Sequence, residues 1–364
     1  MSEETRVRHE WLRKTCNAIQ VGFGVAKDQA ETVTDLLVES NLMGIDTHGV
    51  IRLKLYMDRI RKGGNNVKPN IRRVKDAPCT ALIDADNALG PVGGRLGMEL
   101  AIEKAAAGGI GMVLVRNSNH YGPAGYYARM ALVRDMIGVS LCNTLASMPP
   151  TGGAEGRLGN NPYAVAIPAK KEPPIVVDGA TSKASWGKVF LCAQKGEPLP
   201  EDCFLDSQGN VTLDPKAVME GGCLLPFAGH KGYGIASAIA LLTGMLAGAA
   251  VDHEIPHPYK FLDEPGVNTY LFAAVQIDHF AEVKQFKKRM DDWIRLVRNT
   301  RKAPGVDRIW LPGEKESVAR EDRLANGIPL NENMLAELEA LAKEAGVAFE
   351  REAGRRHRAL RGKA

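Results

Sequence analysis

Twenty consecutive residues without a charge, Gly232 to Val251, constrain this chain more than any other stretch of it. The length is that of a membrane-spanning helix, but a helix enclosed in a globular body has the same texture. Composition separates the two. The run is mostly Gly, Ala and Ser with a few Leu and Ile, so it gains little free energy on transfer into lipid. We read it as a central helix buried on all sides. Its surroundings agree: the 364 residues are 45% hydrophobic and 25% charged, the balance of a globular protein with room for two domains.

Charge adds an exclusion. The net of +4 is concentrated at the C-terminal end, where Arg351, Arg355, Arg356, Arg358, Arg361 and Lys363 stand against Glu352 alone. The preceding 350 residues sum to about −1. A body without positive excess is not built to grip a nucleic-acid backbone. Six cysteines, at 16, 79, 142, 192, 203 and 223, form no C-x-x-C pair, which suits a reducing compartment better than a disulfide framework. The first residues, Met-Ser-Glu-Glu-Thr-Arg, lack an apolar signal core. A cytoplasmic location is expected.

Helical spacing of apolar residues runs through 11–19, 28–43 and 49–61, and the Gly63-Gly64-Asn65-Asn66 cluster stops it. Short β-like runs follow at 80–84, 111–115, 137–142, 163–167, 175–178 and 270–277. Ala- and Gly-rich helical segments lie near 93–107, 123–134 and 231–249, and amphipathic helices return at 281–300 and 332–345. The pattern predicts a mixed α/β fold. Residues 1–75 form a helical region joined by C-terminal helices in 281–350, 76–280 form an α/β domain, and 351–364 form a flexible basic tail.

Familiar motifs fail where they are tested. G-x-G occurs at Gly22/Gly24, Gly109/Gly111 and Gly232/Gly234, but the third glycine of a dinucleotide turn would fall on Lys27, Leu114 and Ser237. His253-Glu254-Ile255-Pro256-His257 spells H-E-x-x-H, yet Pro256 and Pro258 prevent the continuous helix that brings two histidines to one metal. That segment reads as a loop, and no metal site is assigned.

Other stretches carry usable chemistry. Asp46-Thr47-His48-Gly49-Val50-Ile51-Arg52 sets an imidazole beside a hydroxyl and a guanidinium four residues on, one turn apart if a helix starts here. Histidine can move a proton near neutral pH, and arginine can hold a carboxylate by two parallel hydrogen bonds. A capped helix with a packed histidine is the plainer alternative. Asn119-His120-Tyr121-Gly122 and Asp178-Gly179-Ala180-Thr181 each end a β run, where ligands tend to bind. Gly159-Asn160-Asn161-Pro162 is a turn before a strand. Gly229-His230-Lys231-Gly232 opens the long uncharged helix, whose first-turn amides can face an anion.

In this order, with Trp186-Gly187-Lys188 and Leu311-Pro312-Gly313-Glu314, the motifs resemble those of the malate/L-lactate dehydrogenase family of non-Rossmann, NAD(P)-dependent oxidoreductases. The likeness covers about 28–314. It implies a helical region plus a mixed-sheet domain, a homodimer, and NAD or NADP as cofactor. The implied reaction moves a hydride between nicotinamide and C2 of a small 2-hydroxy or 2-oxo acid. By position His48 would donate or accept the proton with Thr47 beside it, and His120 would be a base or a cofactor contact. Arg52, Asn160 and Thr181 would hold the substrate. Tyr121, Gly122, Thr144, Asp178, Gly179, Ala180, Trp186, Gly187, His230, Lys231, Pro312, Gly313 and Glu314 would line the cofactor alongside His120.

Some positions depart from the commoner family pattern. Thr47 stands where Ser is usual, Asn160 where Thr is usual, Thr151 where an aromatic is common, and Gly179 where Met is usual. Asn160 and Thr151 imply a polar substrate, a dicarboxylate or hydroxylated acid. Ureidoglycolate, sulfolactate or a cyclic imino acid are alternatives within the resemblance, and an idle binding scaffold of the same fold is the alternative outside enzymology.

Overall fold

The computed structural model describes residues 4–352 together with 355 and 356. Its centre is a mixed seven-stranded sheet. The strands are β1 (Arg72–Asp76), β2 (Thr80–Asp84), β3 (Ile110–Ser118), β4 (Met136–Cys142), β5 (Tyr163–Ile167), β6 (Ile175–Gly179) and β7 (Asn268–Gln276). Their order is β1-β2-β3-β7-β4-β5-β6. Only β2 and β3 pair in parallel; the other neighbours are antiparallel. In β4 every second residue is buried, the period-two signature that made it legible.

Besides a five-residue helix at Pro215–Met219, the helices are α1 (His9–Gly22), α2 (Lys27–Leu42), α3 (Leu53–Lys62), α4 (Gly90–Gly108), α5 (Ala124–Met130), α6 (Trp186–Lys195), α7 (His230–Ala240), α8 (Val283–Arg298), α9 (Glu314–Asn326) and α10 (Glu332–Glu344). One hydrophobic core joins both chain ends to the sheet: Leu12 and Ile19 of α1, Leu36 and Leu37 of α2 and Leu338 of α10 share it with Val113 and Phe272. Helix α8 lies elsewhere, with Ile294 packed against Ile175 and Leu311. A strand at Glu4–Val7 pairs antiparallel with Ile328–Asn331, which the sequence pattern did not reveal.

Two local expectations change. The helix expected over 49–61 begins at Leu53, preceded by two tight 3-10 turns, Asp46–His48 and Val50–Arg52. Gly49 lies against the side chain of Asn41: a Cβ there would fall 2.2 Å from its Oδ1, and the same oxygen accepts from Val50 N at 2.8 Å. That contact forces the chain to kink where a regular helix was expected.

The uncharged run also differs. Helix α7 passes into a wide π turn at Leu241–Met245 and then stops. It is not buried on all sides. Its inward face is mostly small, with Gly232, Ala236, Ala240, Gly244 and Ala247 buried beside Ile239 and Thr243, while Leu241, Met245 and Leu246 are 55%, 60% and 54% exposed. Among the described residues no helix is long and apolar enough to cross a membrane.

In the basic tail, Arg351 pairs with Glu332 and Glu339, and Glu352 accepts from Arg8 N at 2.6 Å. Residues 355–356 pair with Thr5 and Arg6. The rest of the tail lies outside the described residues.

Candidate active site

Sheet topology gathers the site. Strands β3 and β4 both run antiparallel to β7, so their C-terminal ends emerge on the same edge as the start of β7. Strand β5 begins there and β6 ends there, because each alternates in direction with its neighbour. That edge therefore carries His120 after β3, Thr144 after β4, Asn160 before β5, Asp178 and Gly179 at the end of β6, and Asn268 at the start of β7. All of them line one cavity of about 1090 Å³.

The 46–52 turns bring Thr47, His48 and Arg52 onto this cavity from the helical side. The rings of His48 and His120 stack with centroids 5.5 Å apart. Thr47 Oγ1 lies 3.0 Å from His48 Nδ1, and the Tyr56 hydroxyl lies 2.8 Å from His120 Nδ1. Arg52 donates from Nε to the Thr47 carbonyl at 2.7 Å and from Nη1 to the Tyr259 hydroxyl. Among the described residues its Nη2 has no hydrogen-bond partner. Nε and Nη1 anchor the guanidinium, and Nη2 is left to meet a carboxylate.

Burial depresses both histidines. His48 is pushed down to about 3, with the Arg52 charge adding to the effect, and His120 falls well below the ordinary histidine value for the same two reasons plus the proximity of His48. Both are neutral around pH 7.

A second charged group lies farther along the cavity wall. Asp178 is exposed to the cavity, and the desolvation of its carboxyl among the wall atoms raises it to about 6 against the opposing pull of the Gly125 amide and Arg129. Gly125 N donates to Asp178 Oδ2 at 2.9 Å. Only glycine allows this approach, since a Cβ there would lie 2.5 Å from that oxygen. Glu316, Lys315 and Trp310 line the same wall, and the Arg308 guanidinium stacks 3.9 Å from the Trp310 ring centre.

A sequence profile of the malate/L-lactate dehydrogenase family matches residues 7–339. The chain belongs to that family. It is 42% identical over 333 residues to a malate dehydrogenase of Pyrococcus abyssi, covering 89% of this chain and 91% of the relative. It is 32% identical over 317 residues to a ureidoglycolate dehydrogenase (NAD(+)) of Escherichia coli K12, covering 87% and 88%. The solved structure of sulfolactate dehydrogenase from Methanocaldococcus jannaschii superposes with a TM-score of 0.87 at 36% identity, over 94% of this chain and 98% of that one. The fold is thus that of the malate/L-lactate dehydrogenases, and the chain is an oxidoreductase.

Within this family fold the sequence-derived residues divide. Thr47, His48, Arg52, His120, Tyr121, Gly122, Thr144, Asn160, Asp178, Gly179, Ala180, Trp186, Gly187, Pro312 and Gly313 line the cavity. Thr181, His230, Lys231 and Glu314 do not. Thr181 is fully buried behind the wall, where its amide donates to Asn160 O at 3.1 Å. His230 and Lys231 are exposed at the start of α7. The Glu314 carboxylate turns inward to Arg308 and the Leu311 amide, bracing the 310–313 loop. Thr151, expected from the sequence to mark a polar pocket, sits in an exposed turn away from the cavity.

Tyr56, Arg129, His257 and Tyr259 line the cavity without having been singled out. Tyr56 was recoverable, being four residues from Arg52 on a helix. His257 and Tyr259 belong to the proline-broken H-E-x-x-H segment, which is a loop after one turn at Asp252–Glu254.

Proposed function

We propose that the protein transfers a hydride between NAD or NADP and C2 of a small 2-hydroxy or 2-oxo acid, a dicarboxylate in preference to lactate. The carrying observation is the half-anchored Arg52 beside the stacked pair His48 and His120 in one cavity. A dinucleotide fits the residues present: the cavity exceeds the ~300–1,000 Å³ of a drug-sized ligand's pocket. Its wall offers a Thr144 hydroxyl, the Asp178 carboxylate and the cations Arg129 and Lys315. These residues, with Ala180 and the 310–313 loop, would hold the cofactor, which supplies or accepts the hydride when bound.

The chain's own residues do the rest. Arg52 holds the C1 carboxylate through Nη2 and so orients C2. A neutral His48 accepts the hydroxyl proton in the oxidising direction and returns it in the reducing one. The bound carboxylate offsets the Arg52 charge, lifting His48 from its depressed value toward a useful range. Tyr56 fixes the ring of His120, which serves as the second polar contact to the substrate oxygen.

The malate and sulfolactate dehydrogenases among the relatives support a substrate with two acid groups. Asn160 adds polarity at the cavity wall. The outward face of α7 and its extension supports a homodimer, since large apolar side chains there require a second surface; light scattering on the full chain tests it. Free thiols at all six cysteines suit the cytoplasm.

The test is a panel of 2-oxo acids assayed with NADH and with NADPH, beside thermal-shift titration of each cofactor. A cofactor at 100 times its dissociation constant should stabilise the fold by about 2.7 kcal/mol. No shift and no turnover with either would leave an idle scaffold of this fold.

A further inference from the structure

The H-E-x-x-H segment holds no metal cluster among the described residues, yet it forms part of the cavity wall. After the turn at Asp252–Glu254, Ile255 is extended, and residues 255–259 run along the cavity beside Arg52. The two prolines that disqualify a helix favour extended backbone at Ile255 and His257, ahead of the turn at 258–260.

His257 has a defined proton. The backbone N–H of Tyr259 donates to its Nδ1 at 3.3 Å, so the neutral ring carries hydrogen on Nε2 and offers a donor. The His257 carbonyl accepts from the amides of Lys260 and Phe261, both at 3.0 Å, which closes the turn and fixes the ring's base. The Tyr259 hydroxyl accepts from Arg52 Nη1, which leaves its own proton to donate. The two rings lie 6.0 Å apart, centre to centre. Lys260 adds positive charge beside His257.

The loop is fixed from behind by a buried cation. Arg59 donates from Nη1 to the carbonyls of Pro258 and Phe261 and from Nη2 to that of Glu264, at 3.3, 2.8 and 2.6 Å. Its Nη2 also reaches Asn119 Oδ1 at 3.2 Å, next in sequence to His120. The wall at 257–259 is therefore held in register with the histidine pair.

Once Arg52 takes the C1 carboxylate and the histidines take the C2 oxygen, two donors remain at the adjoining wall. We propose that His257 and Tyr259 are specificity-determining residues that hydrogen-bond a second carboxylate carried on the far side of C2. The inference rests on the hydroxy-acid reading and assigns to named side chains the preference that reading leaves unassigned.

Oxaloacetate and pyruvate differ by that carboxylate, so the ratio of their kcat/KM values reads the contact. His257→Leu should lower the oxaloacetate-to-pyruvate ratio at least about tenfold, mainly through KM for oxaloacetate. His257→Asn keeps an N–H donor and should recover part of the loss. Tyr259→Phe should lower the ratio as well, and should raise KM for both acids because Arg52 loses its anchor. Circular dichroism melts establish that each variant is folded. An unchanged ratio in folded His257→Leu, or equal losses for both acids, overturns the assignment while leaving the dehydrogenase reading intact. A wild-type protein that reduces neither acid overturns the reading and the assignment together.

Discussion

Replacing Arg59 with methionine should damage the site without removing any group placed on the substrate. Positions 52, 56 and 59 share one side of α3 and the turn before it, and their roles differ. In the proposed reading Arg52 meets the substrate, while Tyr56 holds His120 and Arg59 holds the 258–264 loop. Arg59 is only 3% exposed, and its guanidinium donates to six acceptors. Two of them keep another donor after the change: Gly64 O accepts from Asn87, and Asn119 Oδ1 from the Gly266 amide. The carbonyls of Pro258, Phe261 and Glu264 and the buried Asn65 Oδ1 lose the partner that fixes them. At about 1 kcal/mol net for each of these four, the destabilisation is about 4 kcal/mol. Relief of a buried charge and rotation of the carbonyls into water keep it from being larger.

For a chain of this length the unfolding entropy scales to roughly 0.8 kcal/mol/K, so the melting temperature should fall by about 5 °C. The kinetic signature matters more. KM for the 2-oxo acid should rise roughly tenfold while kcat falls less, because the wall at 257–259 loosens and the histidines stay in place. Differential scanning calorimetry and steady-state kinetics on the same preparation measure both. A melt within about 1 °C of the wild type together with an unchanged KM would refute the claim that Arg59 holds the loop.

Other perturbations test other parts of the site. His48→Ala should lower kcat at least about 100-fold, the scale of a lost proton-transfer group, and near wild-type turnover would move that role to His120. Asp178→Asn should raise the melting temperature of the cofactor-free protein at pH 8 more than at pH 4. Desolvation lifts this carboxyl to about 6 in the folded chain, so its stabilising contribution is present below its unfolded value near 4 and is lost as the pH rises through 6. Equal shifts at both pH values would contradict that sign. The same substitution should weaken cofactor binding, read by fluorescence titration.

Much of the fold and the site was legible because it lies in short, patterned segments. The seven sheet strands, apart from the edge strand β1, showed apolar runs bounded by turn residues, and the site residues at their ends came with them. Elements whose burial does not follow periodicity were not legible. Helix α9 buries only the carboxylate-bearing Glu314, so its polar sequence carries no helical stripe. Arg59 reads as the polar side of an amphipathic helix, yet it is buried because backbone carbonyls from a segment about 200 residues away converge on it. His257 and Tyr259 were passed over because the prolines that argue against a zinc helix say nothing about a loop lining a cavity.

The uncharged run shows the limit most clearly. Hydropathy does not distinguish an apolar residue that faces inward from one that faces outward; both are simply without charge. Size separates most of them here. Five of the positions turned into the molecule, Gly232, Ala236, Ala240, Gly244 and Ala247, are small and allow α7 to lie close to its neighbours, with Ile239 and Thr243 as the larger buried exceptions, while Leu241, Leu242, Met245 and Leu246 are turned away from it. At about 25 cal/mol per Å² of apolar area, leaving four large side chains half exposed forgoes several kcal/mol that an ordinary surface helix would recover by carrying charges outward. A second protein surface would recover it, and in the proposed homodimer the same face would meet its own copy. A chain read alone thus gives the right apolarity and the wrong enclosure, because hydropathy carries no record of which way a residue faces.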